Sequence, residues 1–291
     1  MVSGARDAGL FGPESETWRV VGERSVLLGG MRALLMQAAH PLVAAAGRQT
    51  RMYQHDPWGR LERTLRLTLT ILFGSKAEVS AAAWQINVAH RQVSGVDPIT
   101  NLPYRAQDPD LLLWVHASLV SSFLLFERLT IGRLDDRGRQ RFHEEAMVLT
   151  ALLGLPRRRV PPTVAALDSY IQHVCQAGIL QATEESRAML ALIRTPSEAG
   201  TLRSQLASFA AVHTLPPAIR DLYGEHHGRV DQTKLALLCA GMRTGRLLVP
   251  REHRLIEPAR AALARMRGTG PFVPVSAVPV LPAARRTCRQ D

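Results

Sequence analysis

"DLLLWVHASLVSSFLLFER", Asp110 to Arg128, is among the most apolar stretches of the chain, and its period decides the fold. Leu112, Leu113, Leu119, Val120 and Phe123 recur three, four or seven residues from His116, so they share its face on a buried helix. An imidazole in such a stripe loses its water and has to be hydrogen-bonded or metal-bound. Two readings of His116 follow: a core histidine satisfied by a neighbour, or a ligand to something that is not protein.

Outward from this helix, apolar residues recur at helical spacing almost everywhere, with start and stop signals in place. Asp56 with Pro57 and Asp108 with Pro109 read as N-caps followed by first-turn prolines. "SKAE", Ser75 to Glu78, matches a capping box, and Val230–Asp231 opens a helix running towards Leu248. The expectation is an all-α fold, a single helical domain of about ten or eleven helices over 15–267, with no β run. Residues 268–291 form a Pro-rich, basic tail expected to be extended or disordered. "GVDPITNLPYRAQDP", Gly95 to Pro109, reads as a long loop leading into the His116 helix.

The chain has 291 residues, enough for a sizeable core. Val26–Gly47 is the nearest approach to a membrane span, but Arg32, Gln37 and His40 interrupt it, so a buried core helix is the better reading. The start lacks the pattern of a cleavable signal. Cys175, Cys239 and Cys288 have neither metal-type nor redox-type spacing. The expectation is a cytoplasmic protein, with any membrane contact peripheral. Net charge is +11, but only Lys76 and Lys234 among the 36 basic residues are lysine, and the arginines are scattered. A solvated basic surface explains this better than a nucleic-acid footprint.

No P-loop, dinucleotide fingerprint, HExxH helix or GxSxG elbow is present. "FHEEAM" holds His143 on a charged helix, where solvation is expected, and "EHHG" places His226 and His227 in a loop. His116 is joined by His90, on the face of Val79, Ala83 and Ile86, and by His40, before Pro41. Arg60 and Thr64 are four apart and share a face beside Leu61, Leu65 and Leu72. They could orient a bound diatomic or a propionate, or be an exposed arginine and a self-capping threonine.

"GGMRALLMQAAHPLVAAAG" (Gly29–Gly47), "DPWGRLERT" (Asp56–Thr64), "AHRQVSG" (Ala89–Gly95) and "LLWVHASLVSSFLLFER" (Leu112–Arg128), in that order, resemble the MpaB oxygenase family. That family includes the mycophenolic-acid pathway oxygenase and, more distantly, the latex-clearing rubber oxygenases. The likeness spans roughly Trp18 to Pro250. It implies a globin-like helical core holding one haem b, with His116 as the proximal iron ligand and Arg60 and Thr64 on the distal side. Arg63 stands where some relatives carry a removable lysine ligand, and an arginine does not readily shed its proton to bind iron. The implied activity is a haem-dependent oxygenase using dioxygen on an apolar unsaturated or lipid-like small molecule, with Arg32, His40 and His90 as further cofactor-binding candidates. The alternatives are a haem sensor or carrier without turnover and a cofactor-free helical module for a lipid or partner.

Overall fold

The protein is described here by a computed structural model covering residues 7–50, 57–195, 202–268 and 274–275. It is all-α, as the sequence implies, with fourteen helices among the described residues. The first five are α1 (Glu16–Val21), α2 (Leu28–Ala38), α3 (Pro41–Gln49), α4 (Pro57–Phe73) and α5 (Lys76–Arg91). A hairpin, β1 (Ser94–Val96) and β2 (Pro103–Arg105), leads to α6 (Pro109–Thr130) and α7 (Asp136–Leu152). After a 3₁₀ turn at Arg157–Arg159 come α8 (Val164–Gln176), α9 (Glu184–Arg194), α10 (Leu202–His213) and α11 (Pro217–Leu222). The last three are α12 (Arg229–Leu248), α13 (Arg251–Arg254) and α14 (Glu257–Arg267).

Helix starts follow the expected chemistry. Asp108 caps α6 ahead of Pro109, and Ser75 with Glu78 closes a reciprocal capping box on α5. The α12 start comes at Arg229, where the Asp231 carboxylate accepts the Gly228 N–H. The proposed Asp56 cap lies outside the described residues.

Two expectations need correction. Val26–Gly47 is not one helix. Pro41 disfavours helical backbone at the residue before it, and His40 is extended (φ −88°, ψ 117°), so α2 ends and α3 begins there. This break, with the four-residue α13 and the six-residue α1 and α11, lifts the helix count above the estimate. The loop before α6 contains an antiparallel hairpin pairing Ser94 with Arg105, Gly95 with Tyr104 and Val96 with Pro103. Of these six residues only Tyr104 is buried, so no alternating pattern marks the strands in sequence. The expected tail lies outside the described residues except at 268 and 274–275, where Val275 is buried in the main core and donates its N–H to Glu78 Oε1 at 2.7 Å.

At the centre lies α6, packed by α2, α7, α8, α12 and α1. It alone among the described residues is long and apolar enough to cross a membrane, and 61% of that window is buried within the fold. Its closest neighbour is α2. A Cβ added to Gly29 would stand 2.8 Å from the Ser122 carbonyl oxygen, so only glycine permits the approach. Cross-links then fix the register: Trp114 Nε1 donates to Met36 O at 3.2 Å, and Gln37 Nε2 to Ser118 Oγ at 3.0 Å. Gly29→Ala is expected to force α2 from α6 and cost about 1–3 kcal/mol. Urea unfolding checks this, and an unchanged midpoint would mean the contact is not tight.

Candidate functional site: a buried histidine pair

About a third of the way along α6, His116 is 5% exposed. Its Nδ1 lies 2.6 Å from Thr150 Oγ1 on α7, and that hydroxyl also sits 2.9 Å from Ala146 O, one turn earlier. A carbonyl oxygen can only accept, so the threonine gives its single proton to Ala146. It therefore accepts from His116, which must carry its hydrogen on Nδ1. That leaves Nε2 as a lone pair, buried and without a partner among the described residues. Burial, and then the neighbouring His143, hold the imidazole's pKa at about 3, so it is neutral at ordinary pH.

His143 completes the pair. Its ring centroid is 5.7 Å from that of His116, with the planes tilted by 45°. The expectation that it is solvated is wrong: the residue is fully buried. Its Nε2–H donates to Pro161 O at 2.8 Å, leaving Nδ1 bare and also unpartnered. Burial lowers its pKa, against the pull of the Pro161 carbonyl. Beside the pair, Leu112, Leu113, Met147, Leu155 and Val160 form an apolar cluster.

The other sequence candidates are dispersed. His40 is half-buried at the start of α3, its ring 6.5 Å from Trp114, and His90 is half-buried near the end of α5. Burial depresses both pKa values, and each leaves a buried Nδ1 without a partner. Arg32 is buried, spending Nε on Thr214 O (2.8 Å) and Nη1 on Ser122 Oγ (2.7 Å) and Ser121 Oγ (3.3 Å). Those serines lie about a turn and a half beyond His116 on α6. On α4, Arg60 is half-buried and Thr64 exposed. None of these five residues hydrogen-bonds to or ring-stacks with His116.

Sequence reasoning missed Thr150 and the burial of His143. A signal existed: residues 143, 147 and 150 are four and three apart and share a face of α7. The surrounding charges hid it.

The site is a neutral imidazole with one bare nitrogen, set in the core of an all-α fold. The family model described as "ER-bound oxygenase mpaB/B'/Rubber oxygenase, catalytic domain" matches residues 18–244. The chain belongs to that family, and with it comes an oxygenase-type function. Among curated proteins, uncharacterized proteins of Mycobacterium bovis and Mycobacterium tuberculosis are each 25% identical over 207 residues, spanning 70% of this chain and 79% of theirs. No solved structure matches the chain.

The depressed pKa has a consequence for stability. Between pH 6.5 and about 3 the unfolded chain takes up a proton at His116 that the folded chain refuses, so folding weakens as pH falls through that window. The effect reaches about 5 kcal/mol at most. In His116→Phe this part of the acid limb is expected to flatten in urea titrations run across that range. An unchanged slope would place the depressed group elsewhere.

Proposed function

We propose that this protein is a haem b-dependent oxygenase acting on an apolar, unsaturated or lipid-like small molecule in the cytoplasm, with His116 as the protein ligand to iron. The observation that carries the reading is His116 Nε2: unprotonated, buried, and without a partner. A buried acceptor left unpaired costs about 1–3 kcal/mol, and an iron at that atom removes the cost. Among the described residues no three His, Cys, Asp or Glu side chains converge on a bare metal ion. A lone imidazole suits a metal that brings its other ligands with it, as haem iron does.

Haem, when bound, supplies the activation of dioxygen and the oxidation of a carbon–carbon double bond. The protein's part is positional. Thr150 fixes the tautomer and rotation of the His116 ring and raises its basicity through the Nδ1–H bond. Leu112, Leu113 and Met147 keep water from the imidazole. At 5% exposure the ring has no open face, so haem entry requires the side chains around Nε2 to move apart. Roles for Arg60 and Thr64 in orienting oxygen or substrate rest on the family resemblance alone.

Absorption spectra of protein expressed with haem supply test the reading. Wild type is expected to show a Soret band that His116→Ala loses. Thr150→Val keeps the iron ligand but is expected to bind haem about 10–100-fold more weakly. A wild-type spectrum in His116→Ala removes His116 as ligand. Oxygen uptake with unsaturated lipids then separates an oxygenase from a haem carrier or sensor.

A lipid-like substrate is most concentrated at a membrane, and α12 is the face we assign to that surface. None of its twenty residues is buried. Val230, Leu237 and Leu248 share one outward face, at 65%, 68% and 86% exposure, flanked by Arg229 and Lys234. An apolar stripe bordered by cations fits the interface of an anionic bilayer. Vesicles containing phosphatidylserine are expected to sediment the wild type, and Leu237→Asp/Leu248→Asp to abolish this. Retention of the double variant on vesicles would discard α12 as the contact.

A further inference from the structure

A cleft of about 150 Å³ opens between α2, α6, α7 and α8, lined by Arg32, Ser121, Leu124, Leu125, Arg128, Arg139, Val164, Leu167 and Asp168. Along α7 it lies one turn from His143. Arg32 is 7% exposed and, with its pKa near 10 through burial, stays charged at neutral pH. A buried charge normally has a counter-ion, yet none of Arg32, Arg128, Arg139 and Asp168 forms an ion pair with another described residue. Two of the three nitrogens of the Arg32 guanidinium are held by Thr214, Ser121 and Ser122. The third, Nη2, has no acceptor among the described residues, and its two N–H groups are left for the cleft.

Three guanidiniums against one carboxylate leave the cleft with a net positive charge. Asp168 supplies one counter-charge, which favours the charged form of Arg32 without ion-pair contact, but it is surface-exposed and a single carboxylate does not balance three guanidiniums. Four of the nine lining residues are apolar. A phosphate would face Leu124, Leu125, Val164 and Leu167 with oxygens that need hydrogen bonds. An acid with one polar end and a hydrocarbon body matches both halves of the lining. The volume is that of about five waters, room for a head group and a few methylenes while a longer chain leaves through the mouth.

We propose that this cleft is a binding site for the carboxylate end of an apolar acid, held by Arg32 and Arg139 with Arg128 at the rim. As a site for a free acid the inference needs no iron at His116; as a propionate site it rests on the haem reading above. A carboxylate could come from a free acid, such as a substrate or product, or from a haem propionate.

The test is a titration of the full-length protein with hexanoate and with inorganic phosphate at fixed ionic strength, read by thermal shift and calorimetry. It is run on haem-free and haem-loaded samples. Hexanoate is expected to bind and phosphate not. Arg139→Gln is expected to weaken hexanoate about tenfold, the worth of one charge-assisted contact. Asp168→Asn is expected to tighten it, because a nearby negative charge is removed; a merely structural aspartate would not do this. Binding retained after haem loading identifies a free acid as the occupant. Binding lost on loading identifies a propionate. Equal responses to hexanoate and phosphate, or hexanoate affinity unchanged in both variants, overturn the proposal.

Discussion

The burial of the middle of α6 among five other helices is the constraint on which the other contacts depend. Its buried polar side chains have no water, so each needs a partner within the fold. Trp114 reaches the Met36 carbonyl, and Ser118 and Ser122 receive hydrogens from Gln37 and Arg32. Thr130 donates to Phe126 O, and Glu127 takes the N–H groups of Arg133 and Leu134. These contacts also set the rotation of α2 against α6, and Gly29 lets the two helices come close enough to make them.

Within so completely satisfied a helix, His116 Nε2 stands out as an unmet group. Thr150 could have left the ring in either tautomer had its own proton been free. Because Ala146 takes that proton, the imidazole presents its lone pair away from Thr150. His143, with its bare Nδ1 5.7 Å away ring to ring, puts a second unmet nitrogen beside it, while His40 and His90 carry the same deficit elsewhere in the fold. Iron ligation by His116 is our reading of that deficit. The arginine cleft has the opposite character, an excess of donors at the same central helix, and it is the reason for reading a second binding site there.

Much of the fold was legible in the sequence. Helical periodicity, the Ser75–Glu78 box and the Asp108–Pro109 start all report local preferences that burial reinforces. The hairpin was not legible, because three-residue strands with mostly exposed side chains carry no alternation. The break at His40–Pro41 was written in the proline but masked by the apolar run on both sides. For the site, the burial of His116 could be read from its stripe. The burial of His143 could not, since its neighbours Arg141, Glu144 and Glu145 gave α7 a solvated appearance.

The sequence by itself determined an all-helical chain, a central apolar helix and an imidazole stranded on it, because these follow from residue type and spacing along one element. Only the tertiary structure decided which nitrogen of that imidazole is bare and which residue holds the other. It also decided which arginines face a common space. Those facts depend on hydrogen bonds and distances between residues tens of positions apart, such as His116 and Thr150 or Arg32 and Arg139. No one-dimensional pattern encodes them.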